Sequence, residues 1–86
     1  MTILEDIIVK SYGTDCIIYR QSVLVYVESI EMYQILRYEY YSAWNPLKKF
    51  CEYQFNNLEE AKKQFKILTR EYRGCDIIHH KVNGEL

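Results

Sequence analysis

The chain has 86 residues, 49% of them hydrophobic and 27% charged, with three glycines, one proline and a net charge of −1. That length admits one domain with a modest core and leaves little interior for a deep catalytic cavity, while the composition excludes a disordered tail. The balanced charge excludes an overall basic footprint for nucleic acid, although residues 1–45 hold three basic and six acidic side chains and residues 46–86 hold eight basic and six acidic.

The cysteines Cys16, Cys51 and Cys75 are odd in number, widely spaced and without a CxxC pair. They fit neither a disulfide framework nor a zinc module and read as reduced thiols of a cytoplasmic protein. The apolar runs are too short for a signal peptide or a membrane span, so a membrane partner is not expected.

In chain order, TILEDIIVKSYG carries helix punctuation at both ends. Thr2 with Glu5 has the form of a capping box, and Gly13 suits a left-handed closing residue. Ile3, Leu4, Ile7 and Ile8 fall on one face, with Lys10 at the negative end of the dipole, so a short helix over residues 2–11 is expected. From Cys16 onward, CIIY, SVLVYVESI and YQILRYEYY are rich in Ile, Val and Tyr and predict three strands. Residues 20–22 and 30–33 are their separators, without an Asn-Gly turn signature. Tyr12, Tyr19, Tyr26, Tyr33 and Tyr40 recur every seven residues, a helical spacing. Leu24, Val25, Val27, Met32 and Ile35 would then leave apolar groups on every side of a helix, so the period is read as coincidence.

Pro46 ends that run, and LKKFCEYQF is expected as a fourth strand with Leu47, Cys51, Tyr53 and Phe55 on one face. In NNLEEAKKQFKILTREYRG, Asn56 or Asn57 caps a helix, Glu59 and Glu60 sit at its positive end, and Gly74 stops it. Leu58, Ala61, Phe65, Leu68 and Tyr72 make one apolar stripe, which predicts a long amphipathic helix over residues 57–73. CDIIHHKV reads as a last strand and NGEL as a frayed tail. The expected architecture is a single α+β domain over residues 1–86. It has an antiparallel sheet of four to five strands, with the long helix and the short N-terminal helix packed on it, and the other sheet face is solvated or bound.

Functional candidates follow from that free face. In a strand over residues 33–41, Gln34, Leu36, Tyr38 and Tyr40 point one way and Tyr33, Ile35, Arg37, Glu39 and Tyr41 the other. Tyrosine beside charge is the mixture enriched at protein interfaces, and Trp44 in the adjoining segment suits a hot-spot anchor. Against this, tyrosine suits any half-exposed strand, and a tryptophan there also serves to plug one end of the core. The expected partner-binding set is Arg37, Tyr38, Glu39, Tyr40, Tyr41 and Trp44, engaging a host or bacterial protein. Self-association through a strand edge or the same face would instead give a homodimer.

The rival reading is single-stranded nucleic acid, with sheet aromatics stacking bases and Lys48, Lys49, Lys62, Lys63, Lys66, Arg70 and Arg73 tracking phosphates. Most of these cations alternate with glutamates, the usual pattern of a solvated helix surface, and no RNP-like motif or GXXG loop is present. On a strand His79 and His80 point to opposite faces while Cys75 and His79 share one, which is two ligands and not a zinc site. No metal or cofactor is expected, and the absence of a glycine-rich phosphate loop, GxSxG or HExxH points to a non-enzymatic domain. In size, tyrosine content and slight acidity the chain resembles phage and mobile-element proteins that act by occupying a host protein, anti-CRISPR inhibitors among them. That resemblance implies an inhibitor of a host defence protein.

Overall fold

The computed structural model describes residues 1–41 and 44–83, with side chains described for all of these except 44–51. The elements are β1 (Thr2–Tyr12), β2 (Ile17–Val27), β3 (Met32–Tyr41), β4 (Trp44–Phe55), α1 (Leu58–Thr69), a 3₁₀ turn (Arg70–Tyr72) and β5 (Asp76–Val82). All five strands join one antiparallel sheet in the order β4-β3-β2-β1-β5, and α1 packs on one face of it, across β2, β3 and β4.

The expected helix over residues 2–11 is instead the strand between β2 and β5. Its helix signals are spent elsewhere: the Thr2 hydroxyl donates to Glu28 on the β2–β3 turn, and the Glu5 carboxylate meets His80 of β5 at 2.9 Å. A strand also buries Ile7 and Val9 on the helix-bearing face and sets Ile8 on the other, a period of two that suits β-branched residues. Two neighbouring strands then satisfy the β1 backbone, a tertiary gain that outweighs local helix propensity.

The stretch IIYRQSVLVYV is one strand and not two, because Arg20, Gln21 and Ser22, expected as a separator, lie mid-β2 and each faces a partner on both β1 and β3. The hairpin turn spans residues 28–31 and closes with Glu31 at φ 52°. The seven-residue tyrosine period acquires a meaning in this hairpin. Its register pairs Tyr26 with Tyr33 and Tyr19 with Tyr40, with ring centroids 4.9 and 5.6 Å apart respectively. Since seven is odd, one pair lies on the helix-bearing face and the other on the opposite face.

β4 starts before Pro46, which is tolerated because this strand is an edge. Asn57 caps α1, its side-chain oxygen accepting from the Glu59 and Glu60 amides at 2.8 and 3.2 Å. The helix is shorter than the expected 57–73. At Thr69 the hydroxyl bonds back to the Phe65 carbonyl at 2.8 Å, and the chain tightens into the 3₁₀ turn that delivers Tyr72 to the sheet. Gly74, at φ +84°, then turns the chain into β5; the helix it was expected to stop has already ended at Thr69. Asn83 is tied to β1, donating from its backbone to Leu4 and from its side chain to Ile3, so the tail is anchored at that residue.

The main core joins Ile7, Val9, Leu24 and Ile35 of the sheet to Ala61 and Phe65 of α1 and to Tyr72. A second cluster, Val23, Val25 and Leu36 with Val27 and Tyr38 beside it, occupies the opposite face, and no α1 residue belongs to it. The molecule is long and one-sided, 41 × 23 × 19 Å with a radius of gyration of 13.4 Å, against about 12 Å for a compact domain of this length.

Candidate protein-interaction face

On the face away from α1 the register builds rows across the strands. Lys10, Tyr19 and Tyr40 stand side by side, then Ile8, Gln21 and Tyr38, then Asp6, Val23 and Leu36; Tyr12 opposite Ile17 completes the upper end. Tyr19, Tyr38 and Tyr40 are half-buried, and Tyr12 is 68% exposed. Polar groups rim them. Gln21 donates to Asp6 at 2.8 Å, His79 of β5 lies 3.3 Å from the same carboxylate, and the Lys10 ammonium sits 5.4 Å from the Tyr12 ring centre. Hydrogen bonding to Tyr12 raises the Lys10 pKa, so this cation stays charged.

The expected partner-binding residues divide between the two faces. Tyr38 and Tyr40 belong to the tyrosine row. Glu39 and Tyr41 lie on the helix-bearing face, where Glu39 accepts from Tyr41 and from Arg20 at 3.2 Å, and Arg20 reaches Ser11 at 3.4 Å. Arg37 is an interior residue, 5% exposed. Its guanidinium donates to Ser22 at 3.1 Å, to Tyr72 at 3.5 Å and to Glu71, and the Ser22 and Tyr72 hydroxyls are 2.7 Å apart. Burial alone would lower the Arg37 pKa, but the bonds to Tyr72 and Glu71 outweigh it and the net shift is upward. Arg37 therefore ties the 3₁₀ turn to the sheet and is not a flanking surface charge. The Trp44 side chain lies outside the described residues.

Sequence reasoning missed Tyr12 and Tyr19 as members of this row. The signal was the tyrosine period itself, since residues 19 and 40, like 26 and 33, are equidistant from the hairpin turn.

The basic residues Lys62, Lys63, Lys66, Arg70 and Arg73 line the outer side of α1 and its 3₁₀ turn, on the far side of the sheet from the tyrosine row. The Lys48 and Lys49 side chains lie outside the described residues. A single strand stacked on Tyr38 and Tyr40 could not also lay its phosphates along α1, so the two halves of the nucleic-acid reading fall on different surfaces. Lys62 is 3.9 Å from Glu59, whereas Lys63, Lys66, Arg70 and Arg73 pair with no carboxylate among the described residues.

His79 and His80 do point to opposite faces, toward Asp6 and Glu5. Cys75 packs with the helix-side core, because a bulge in β5 opposite Ile8 and Val9 reverses the alternation; the shared face expected for Cys75 and His79 does not form. Among the described residues no three His, Cys, Asp or Glu side chains gather where they could hold a metal, and no helix is long and apolar enough to cross a membrane. The chain matches no family model, and no curated protein or solved structure is detectably similar to it.

Proposed function

We propose that this domain is a non-enzymatic protein-interaction module, an inhibitor or adaptor that docks a protein partner on the sheet face away from α1. The observation that carries the reading is the row of Tyr12, Tyr19, Tyr38 and Tyr40 on a face that α1 leaves uncovered, rimmed by Lys10, Gln21, Asp6 and His79. Rings held by a rigid sheet bury area at little entropic cost, and their hydroxyls accept a wet rim, which is the make-up of a binding surface. Occupation of a host defence protein by a phage or mobile-element product is the biological role that such a surface on so small a domain fits.

A second reading is favoured by Lys63 and Lys66 of α1 with Arg70 and Arg73 just after it, which pair with no carboxylate among the described residues and suit a polyanionic chain such as single-stranded nucleic acid. Capture from bacterial lysate separates the two. With the wild type, a Tyr38→Ala/Tyr40→Ala variant and a Lys66→Glu/Arg70→Glu variant, the proposal expects a protein retained after nuclease treatment and lost only with the tyrosine variant. Material that disappears with nuclease, in moderate salt, or with the helix variant would move the function to nucleic acid.

A further inference from the structure

We infer that the free edge of β5 pairs with the β5 of a second copy, joining two sheets into one antiparallel ten-stranded sheet across a two-fold axis. β5 hydrogen-bonds only to β1 among the described residues, so along its other side alternate backbone N–H and C=O groups have no strand partner. Such an edge is a template for another extended strand. All seven residues of β5 are exposed, with Ile77 at 59%, Ile78 at 51% and Val82 at 50%. Natural edges are usually blunted; this one carries a bulge at Ile78 and two charged residues, Asp76 and Lys81, but no proline.

The strand is complementary to itself. Asp76 opens the strand and Lys81 stands one residue before its end, so antiparallel apposition centred on the bulge at Ile78–His79 sets each Asp76 beside the partner copy's Lys81. The bulge aligns them: Asp76 faces Lys10 and Lys81 faces Asp6, so both belong to the face away from α1 although they are five residues apart. The central histidines already have carboxylate neighbours within each copy, His79 with Asp6 at 3.3 Å and His80 with Glu5 at 2.9 Å. A two-fold perpendicular to the sheet leaves both tyrosine rows on the same side, giving a partner two adjacent docking surfaces and an avidity gain without new contacts.

A single strand pair buries less than the roughly 1,200 Å² of standard interfaces, so the dimer is weak and concentration-dependent. Sedimentation equilibrium of the purified full chain, with no partner present, tests this independently of what the tyrosine face binds. Dimerisation is expected to rise through the micromolar range, to weaken about tenfold or more in Lys81→Asp, where like charges meet twice, and to recover in Asp76→Lys/Lys81→Asp. A monomer at every concentration overturns the inference, and so does a dimer indifferent to the charge exchange.

Discussion

At the residue scale the interior turns on a polar network that joins β2, β3 and the 3₁₀ turn. Ser22 is 0% exposed and Arg37 5%, so their bonding groups depend on Tyr72. Tyr72→Phe keeps the ring against the core and removes the hydroxyl, taking one hydrogen bond from Ser22 and one from Arg37, which keep their bond to each other. The expected loss is about 1–3 kcal/mol in denaturant unfolding, with no change in partner affinity. This network was not legible in the sequence: Tyr72 reads as the last apolar position of a helical stripe and Arg37 as a surface charge, because pattern gives the direction of a side chain and not its partners. A pH effect belongs to this scale too. The N-terminal ammonium, 2.7 Å from Glu28, and then the Thr2 hydroxyl hold the Glu28 carboxyl at about 2, below its ordinary 4.5. A pKa depressed by folding adds stability that is complete above 4.5 and fades as the pH falls toward 2. Chemical denaturation of Glu28→Gln across that window should show a shallower acid slope than the wild type. The difference will be small because both groups are half exposed to water.

At the element scale the strand character of residues 17–41 and the start of the C-terminal helix were readable; the continuity of β2 through residues 20–22, the helix end at Thr69 and the strand β1 were not. The hairpin is set by β-branched and aromatic residues whose pairing repeats at every position. The helix is set by Asn57, Glu59, Glu60 and an apolar stripe whose last member, Tyr72, falls in the 3₁₀ turn after it. β1 carried a capping box and an i, i+3, i+4 apolar pattern as well as a strand pattern, and only its position between β2 and β5 decides between them. The β2–β3 turn offers a clean test of local strain. Glu31 holds φ at 52°, a region that disfavours a side chain without local stabilisation. Glu31→Gly is expected to stabilise the domain by up to about 1 kcal/mol, read as a higher denaturation midpoint at unchanged slope. A loss of stability would show that the entropy of the added glycine outweighs the strain.

At the scale of the whole molecule, one helix cannot cover both faces of a five-stranded sheet whose strands run 7–12 residues. On the face α1 leaves open, Val23, Val25 and Leu36 are buried at the centre, with Val27 and Tyr38 packed against them, and the tyrosines lie toward one end. The sequence separated Tyr38 and Tyr40 from Arg37, Glu39 and Tyr41 by strand parity but left open which set would lie on the free face. It could not show Arg37 withdrawn inside, Glu39 and Tyr41 on the other side, or Tyr19 brought to Tyr40, since these follow from a register that the soft separators did not define. The most direct test of the central claim is calorimetric titration of the captured partner with wild type and Tyr40→Ala, with thermal unfolding of both. Tyr40→Ala is expected to weaken binding at least about 30-fold, the equivalent of about 2 kcal/mol, with the melting temperature shifted by only a few degrees. Unchanged affinity, or a loss of binding that tracks a collapse in melting temperature, would contradict the claim.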